Sequence, residues 1–408
     1  MGRVPTSDGV FEKPAFRQYF IGQAFSYIGD SFRVFVIPLL VFKITGSAFS
    51  TALTYVFEFL PMALAGLLGG SLADRLDRRK TMIACDFIRS LLLGAIAVLF
   101  YFKLLSLVVL LAAIVVISAA ASIFLSGQAA SIPYLVGKQR STQAIAVLLG
   151  VEKGATIVVP PIGGALFGLF GPLPALIANA VTYVISQCSL ALVPAMGPET
   201  KRPLPSLREL SSDIREGFQF MLADDILRQV TIWNFITNSL GMVTVAVMIP
   251  FLKSDLHASD QSVGLFFGLS ACGAVLGSIF AARTATRWTF GKAVVGSQAF
   301  EALAVLPLFF THSIWLAAGA WALTIGATQV KGAQLVGWRL RVTPHELTGR
   351  VFAAIRVAAV VGIAIGAYAG GVLASHIGPR RAIIATASLY LLISLLGLFW
   401  RSLRNESR

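Results

Sequence analysis

Twelve long apolar runs dominate this sequence. They lie near residues 18–42, 48–72, 82–101, 105–136, 142–170, 174–195, 227–252, 262–285, 291–311, 314–338, 350–374 and 380–400. Runs of this kind match the roughly 20 residues that a helix needs to cross a bilayer, and they far exceed the roughly ten residues of a barrel strand. Backbone groups in lipid must be hydrogen-bonded within the protein. The sequence therefore predicts an all-α membrane protein with twelve transmembrane helices.

Composition excludes most other classes of protein. Hydrophobic residues make up 56% of the chain, charged residues only 13%, and the mean hydropathy is +0.80, which is too apolar for a soluble domain. The net charge of +14 is spread over short loops and lines no single element, so no nucleic-acid partner is expected. Cys85, Cys188 and Cys272 fall inside apolar runs without paired spacing. We expect no disulfide framework, no metal and no cofactor.

The basic residues also predict the orientation. Lys and Arg concentrate in alternate gaps and at both ends of the chain. The opposite side holds only Lys43, Lys103, Lys253, Arg380 and Arg381. Because Lys and Arg favour the cytoplasmic side, both termini are predicted to be cytoplasmic, in the inner membrane of a bacterial cell.

A polar segment divides the twelve runs into two sets of six. It spans 197–226 and contains an amphipathic stretch from Leu207 to Leu222. Six runs on either side of a cytoplasmic linker are typical of transporters built from two parallel repeats, which bind their substrate near the midplane of the membrane. The predicted organisation is a six-helix bundle over 1–196, a linker over 197–226 and a second six-helix bundle over 227–408.

The loop after the second run carries a recognisable pattern. Its residues are Gly70, Asp74, Arg75, Arg78, Arg79 and Lys80. This pattern resembles the signature of the major facilitator superfamily, with Asp77 where many members have glycine. Further similarity points to the branch of enterobactin exporters and macrolide-efflux proteins, the transmembrane secretion effector type. The segments that carry this similarity are Gly29-Asp30, Gly46-Ser47, 84–89, Glu216-Gly217-Phe218 with Asp225 and Leu227, and 344–351.

The resemblance implies the major facilitator fold, two six-helix bundles that bind a substrate between them, and a monomer. Pro160, Gly163 and Gly164 in the fifth run are similar to the antiporter signature of drug exporters, although Val159 replaces its first glycine. Small residues allow close helix packing and prolines allow bending, so tight packing alone is the alternative interpretation.

Two carboxylates near the midplane are the predicted proton-coupling residues. A charge inside a spanning helix costs about 2.5–3.5 kcal/mol on insertion scales, so it needs a partner, a cavity or a proton. Asp30 and Glu58 lie deep in neighbouring runs, and Arg33 lies one helical turn from Asp30 on the same face. One interpretation is that Asp30 first, and Glu58 second, binds and releases a proton. The other is that Asp30 and Arg33 form a permanent structural pair.

Embedded polar residues are the candidate substrate ligands. By resemblance, runs 5, 10 and 11 border the central cavity, and these runs carry several of the candidates. The predicted substrate-binding residues are Gln128, Glu152, Asn234, Asn238, Gln329, Lys331, Gln334 and Arg356. Simple snorkelling of long charged side chains toward the interface is the alternative. Glu301 is also embedded, but its run is peripheral in this fold, so it is not chosen as a site residue.

A separate set of charged residues is predicted to gate transport. The set comprises Gly70, Asp74, Arg75, Arg78, Asp86, Arg89 and Arg350. We expect them to form a cytoplasmic network that latches the two halves and breaks as the protein opens inward. The alternative is that they only determine topology.

These features together predict a secondary active transporter and not an enzyme, since the sequence has no Walker loop and no nucleophile elbow. It would export an amphipathic small molecule, such as a siderophore or a drug, in exchange for protons. A lysophospholipid flippase or a siderophore importer of the same fold is the alternative.

Overall fold

The computed structural model of this protein is built from helices. It describes residues 10–73, 75–196, 207–284, 288–344 and 347–398. The helices are α1 (Pro14–Thr45), α2 (Ala48–Ala73), α3 (Arg78–Tyr101), α4 (Leu107–Val136), α5 (Ser141–Phe170), α6 (Pro172–Ala191), α7 (Leu207–Ala223), α8 (Asp225–Pro250), α9 (Asp260–Thr284), α10 (Phe290–Val305), α11 (Pro307–Phe310), α12 (Ile314–Val342), α13 (Thr348–Ile377) and α14 (Pro379–Leu398). No strand occurs within these ranges.

Every predicted apolar run corresponds to a helix. Among the described residues, 11 helices are long and apolar enough to cross a membrane. The remaining run forms α12, which has 29 residues and ends with Arg339 and Arg341 in its last turn. Its length is ample for a span, since about 20 residues suffice. The amphipathic stretch of the linker forms α7, as predicted.

Local sequence explains where several helices begin. The side chain of Asp77 accepts hydrogen bonds from the backbone N–H groups of Arg79 and Lys80 at the start of α3, and a carboxylate there satisfies donors that have no partner within the helix. The ninth predicted run breaks at Leu306, and Pro307 begins the short α11. Proline lacks an N–H and its ring clashes with the preceding turn, so it divides this run into two helices.

The chain forms two compact units. Unit 1 is made of Met1–Val34, Pro61–Val159 and Phe170–Pro205, and unit 2 of Phe35–Leu60, Pro160–Leu169 and Ser206–Arg408. Within unit 2 the second part of α1, the first part of α2 and the end of α5 therefore belong with the helices of the second half of the chain. Phe35 packs edge-on against Phe267 at a centroid distance of 5.8 Å.

Glycines bring helices of unit 2 into close contact. A Cβ atom at Gly273 on α9 would overlap the backbone of Ala322 on α12, and one at Gly277 would overlap Gly326. A Cβ at Gly164 on α5 would lie 2.8 Å from the Cα of Gly264 on α9. In membranes helices associate mainly through such close backbone packing. The small residues of the predicted antiporter segment therefore have a packing role, whatever else they do.

We expect Gly273→Leu to destabilise unit 2 by more than about 1–3 kcal/mol, the usual cost of overpacking, because the clash is with backbone atoms that cannot rotate away. Thermal unfolding of the detergent-solubilised protein, followed by size-exclusion chromatography, would measure the loss.

Gly319→Leu is the matched control for that variant. Gly319 lies on α12, the helix that Gly273 of α9 packs against, and a Cβ atom at Gly319 meets nothing within 4 Å. Its melting temperature should stay close to that of the parent protein, and equal losses in the two variants would contradict the packing argument.

Candidate functional site

A charged network lies inside unit 1. It consists of Asp30 and Arg33 on α1, Asp86 and Arg89 on α3, and Tyr183 on α6, and we call it the Asp30 cluster. An Asp30 carboxylate oxygen, Oδ1, lies 3.5 Å from Arg33 Nη2 and 3.6 Å from Arg89 Nη1. The Tyr183 hydroxyl donates to the same oxygen at 2.9 Å. The predicted contact between Asp30 and Arg33 is therefore present, and two further groups converge on the same carboxylate.

Arg89 links the two acids of this cluster. Its Nη1 lies 3.5 Å from Asp86 Oδ1, and both side chains are fully buried. The guanidinium carbon sits 4.4 Å from the ring centroid of Phe124 and 5.0 Å from that of Tyr183. An arginine can stack on aromatic faces while it pairs with carboxylates, which a lysine does less well. Arg89 is thus held in place from several sides.

Local sequence places both acid–base pairs. Asp30 and Arg33, like Asp86 and Arg89, are three residues apart on one helix, so each pair shares a helical face. Gly29 allows Tyr183 to approach, since a Cβ atom there would lie 2.9 Å from the Tyr183 ring. The cluster therefore depends on a glycine as well as on its charged members.

Asp30 differs from the other charged members in its exposure. Its side chain is 27% exposed, whereas those of Arg33 and Arg89 are 5% and 0% exposed. Within the Asp30 cluster this acid is accordingly the one that solvent or a ligand can reach. An accessible carboxylate beside buried cations is a candidate for proton binding.

Polar residues continue from Asp30 along the interior of unit 1. Gln128 on α4 is buried and donates to the hydroxyl of Tyr27 on α1. The Tyr19 hydroxyl donates to the main-chain carbonyl of Gln128 at 3.1 Å. Glu152 on α5 is half-exposed and pairs with the neighbouring Lys153 at 3.2 Å. Gln128 and Glu152 thus remain candidates for substrate contact on the unit 1 side.

Glu58, the second predicted coupling residue, belongs to unit 2. Its side chain is buried, and it lies one turn from Tyr55, which packs in an apolar cluster with Met242, Ala246 and Ala367. The structure therefore places Asp30 and Glu58 in different compact units.

A second charged network lies inside unit 2. It consists of Gln298 and Glu301 on α10, Thr328 and Lys331 on α12, and Tyr390 on α14, and we call it the Glu301 cluster. Lys331 Nζ lies 2.6 Å from Glu301 Oε2 and 2.8 Å from Gln298 Oε1. The other carboxylate oxygen, Oε1, accepts from Thr328 at 3.1 Å and from Tyr390 at 3.3 Å.

Four members of the Glu301 cluster line a cavity of about 250 Å³, namely Glu301, Thr328, Lys331 and Tyr390. Asn238 of α8, and Gln329 and Trp321 of α12, are also in its wall. Lys331 is buried and paired with Glu301, so it is not simply snorkelling toward the interface. The closest partners of Lys331, Gln298 and Glu301, are both on α10.

A larger cavity of about 700 Å³ lies between α9 and α12. Small residues line most of it, and its polar wall consists of Ser278, Gln329, Gln334 and Arg341. Gln329 lines both cavities. The two predicted glutamines are therefore available to a ligand in unit 2.

The other predicted site residues have varied surroundings. Asn234 is buried on α8, and its main-chain carbonyl accepts a hydrogen bond from the Thr237 hydroxyl. Arg356 is exposed on α13. Among the predicted gating residues, Gly70 lies within α2, Arg75 lies just after it, Arg78 begins α3, and Asp74 lies outside the described residues.

The predicted gating network is divided among different places. Asp86 and Arg89 join Asp30 in the interior of unit 1. Arg350, at the start of α13, pairs with Glu216 of the linker helix α7 at 2.6 Å. A gating role for these residues stays a prediction.

Sequence reasoning missed Tyr183, Glu301 and Tyr390. A usable signal was the correspondence between the halves of the chain. Tyr183 and Tyr390 each lie eleven residues after a proline that opens a helix, and each proline follows a glycine with positive φ, Gly171 at 82° and Gly378 at 85°. Comparison of the two halves at this register would have pointed to both tyrosines.

Comparison with known proteins agrees with this architecture. The family model described as transmembrane secretion effector matches residues 7–407. The chain is 24% identical to the MFS-type transporter YfiS of Bacillus subtilis, over 97% of each chain. It is also 24% identical to the enterobactin exporter EntS of Citrobacter koseri, over 92% of this chain and 88% of that protein.

Solved structures show the same fold. A bacterial homologue of the iron transporter ferroportin, in an inward-facing state, superimposes with a TM-score of 0.76 at 17% identity, covering 97% of this chain and 100% of that one. A bacterial homologue of the lysosomal transporter Spinster gives a TM-score of 0.72 at 16% identity, covering 100% and 99%. The predicted all-α major facilitator fold is confirmed, and the helices of the described residues are consistent with twelve spans.

The helices, their order along the chain and the similarity to known proteins over nearly its whole length thus all indicate the same fold. This protein is a multi-pass membrane transporter that belongs to the transmembrane secretion effector family of the major facilitator superfamily.

Proposed function

We propose that this transporter exports an amphipathic small molecule, such as a siderophore or a drug, across the bacterial inner membrane in exchange for protons. Its two bundles, 1–196 and 227–408, would alternate access around the linker 197–226, with both termini in the cytoplasm. The observation that carries the proposal is the Asp30 cluster, which holds an accessible carboxylate among buried cations. The enterobactin exporters among the relatives support the class of substrate.

Asp30 would couple the two fluxes by competition. The ionised carboxylate accepts hydrogen bonds, so it would bind a donor group of the substrate, such as a catechol O–H or an amine N–H. Protonation of Asp30 neutralises the carboxylate and turns one of its oxygens into a donor, which weakens the hydrogen bond to such a group. Proton and substrate would then occupy Asp30 in alternation, which is the requirement for antiport.

Protonation of Asp30 would change the net charge of its cluster. With Asp30 and Asp86 ionised, the two acids balance Arg33 and Arg89, and the cluster is neutral. Protonation of Asp30 leaves a net charge of +1, while Arg89 keeps Asp86 as its partner.

Glu58 and Arg33 are the other proposed coupling residues. The proposed substrate ligands are Gln128 and Glu152 within unit 1, and Asn234, Asn238, Gln329, Gln334 and Arg356 within unit 2. Lys331 would act through its partner Glu301 and not as a free cation. The mixture of amides and apolar walls suits a ligand with both polar and apolar parts.

Everted membrane vesicles with an imposed pH gradient would test the direction of transport. We expect labelled enterobactin, or the dye ethidium, to accumulate inside vesicles with an acidic lumen and to be released when nigericin collapses the gradient. Vesicles from cells that lack the protein are the control. Accumulation only with an alkaline lumen would contradict export and would indicate import with protons.

A further inference from the structure

We infer that Glu301 is a second proton-binding carboxylate, in a site of unit 2 that repeats the architecture of the Asp30 cluster. Each cycle of substrate export would then move one proton more than Asp30 alone carries. The inference extends the proposed function, but proton binding by Glu301 can be tested without it.

Equivalent positions of the two halves build the two clusters. Asp86 and Arg89 lie eight and eleven residues after the start of α3, and Gln298 and Glu301 lie eight and eleven residues after the start of α10. Phe124 on α4 and Lys331 on α12 both lie 17 residues after the first residue of their helix.

The tyrosines and a pair of glycines complete the correspondence. Tyr183 donates to Asp30, and its counterpart Tyr390 donates to Glu301. A Cβ atom at Gly29 of α1 would press on Tyr183, and one at Gly241 of α8 would lie 2.7 Å from the Tyr390 hydroxyl. In both units an acid thus meets a cation and the hydroxyl of a tyrosine.

The charges are redistributed between the two clusters. In unit 1 the acid is on the first helix of its half, and the cation, Arg89, occupies the position that Glu301 takes in unit 2. Lys331 takes the position of Phe124, which stacks on Arg89. An acid paired with a cation is therefore retained although the residues that supply it differ.

The cavity gives a proton access to Glu301. Its volume of about 250 Å³ far exceeds the roughly 10–15 Å³ that one water needs on the same measure. Glu301, Lys331 and Tyr390 all line it. The cavity therefore has the room and the polar groups for water, which would bring a proton to the carboxylate.

Few charged groups face Glu301. Lys331 comes from α12 and Tyr390 from α14, and among the described lining residues α8 contributes Asn238 and Gly241, which do not titrate. A buried ion pair is expensive to hold, and well-packed apolar residues would often be at least as stable. Its cost inside a spanning helix favours a role in moving charge.

The proton step involves only this pair. A proton from cavity water binds Glu301 Oε2 and breaks the ionic contact with Lys331. Lys331 stays an ammonium and keeps its hydrogen bond to Gln298. The charge of the pair changes from zero to +1, as it does in the Asp30 cluster.

Infrared titration of the purified protein would test the inference directly. We expect the carboxyl C=O band of a protonated acid to grow as the pH falls, and Glu301→Gln to remove one part of that signal. Glu301→Asp should restore a titrating band, and Asp30→Asn should remove a different part. Identical titrations of the parent and Glu301→Gln proteins would overturn the inference.

A second variant keeps the test decisive if the Glu301→Gln protein does not fold. Glu301→Gln leaves Lys331 without its ionic partner, so the neutral double variant Glu301→Gln with Lys331→Gln would replace it in the same titration. Loss of the same band is expected. A band that persists in the folded double variant would assign it to another acid and would contradict the inference.

The limiting accumulation of substrate, measured once net transport has stopped, separates this inference from the proposed function. One proton supports roughly a 50-fold accumulation at about 100 mV, so removal of Glu301 should lower the limiting accumulation of ethidium by about that factor. If Asp30→Asn leaves accumulation intact while the Glu301 band still titrates, the proposed function fails and the second site stands. If Glu301→Gln leaves accumulation intact, Glu301 is not coupled to transport.

Discussion

Replacement of Asp30 by asparagine is expected to reduce proton-driven accumulation of substrate about 50-fold. One proton moving through about 100 mV releases about 2.3 kcal/mol, and about 1.4 kcal/mol corresponds to a tenfold ratio. Asparagine keeps the size and an acceptor oxygen of the side chain but cannot carry the proton. The measurement is the limiting ratio of ethidium or labelled enterobactin in everted vesicles with an acidic lumen.

Substrate counterflow provides the check on folding. Exchange of labelled for unlabelled substrate needs no proton, and the amide oxygen of asparagine still accepts a hydrogen bond, so we expect Asp30→Asn to retain exchange with a weaker affinity for substrate. Asp225→Asn is the matched control, because Asp225 is 76% exposed and pairs only locally with Arg228 at the start of α8. Full gradient-driven accumulation by Asp30→Asn would show that Asp30 and Arg33 form a merely structural pair.

Removal of Arg89 is expected to cause the largest loss of stability. In Arg89→Met the buried carboxylate of Asp86 loses its cation, and an uncompensated buried charge costs about 3–5 kcal/mol. Asp86 keeps only the hydroxyl of Ser186, which donates to it at 2.6 Å. The free energy of unfolding in mixed detergent micelles, measured by denaturant titration, would report the loss.

Two comparisons test that explanation. The double variant Arg89→Met with Asp86→Asn removes the orphaned charge, so it should recover a substantial part of the stability. Arg228→Met breaks an exposed pair and should cost no more than about 1 kcal/mol. If the double variant is as unstable as Arg89→Met alone, the loss comes from packing against Phe124 and Tyr183 and not from charge.

The helices could be predicted because the bilayer constrains each spanning segment separately. Each span needs its own length of apolar residues, so the twelve runs and the amphipathic α7 are visible without knowledge of their neighbours. The break at Leu306 was also readable in principle, since Pro307 follows it directly. The membership of the two compact units, which places the second part of α1 in unit 2, is not written in any local pattern.

The candidate site shows the same division. Asp30 and Arg33 are three residues apart in the sequence, so their contact follows from the helix period alone. The contacts of Asp30 with Arg89 and Tyr183 join distant helices, and so does the pair of Glu301 and Lys331. Sequence reasoning could place Asp86 and Arg89 in depth along a span but not on a particular face of the bundle.

By itself the sequence determined that this chain is a membrane protein of long helices, with acids and cations buried at definite depths, because hydropathy and helical rise depend only on residues near one another. Only the tertiary structure decided which cation each acid meets, and which of them borders a cavity. Those outcomes depend on the rotation and packing of whole helices, where a glycine such as Gly29 or Gly241 permits a tyrosine to reach a carboxylate from another helix.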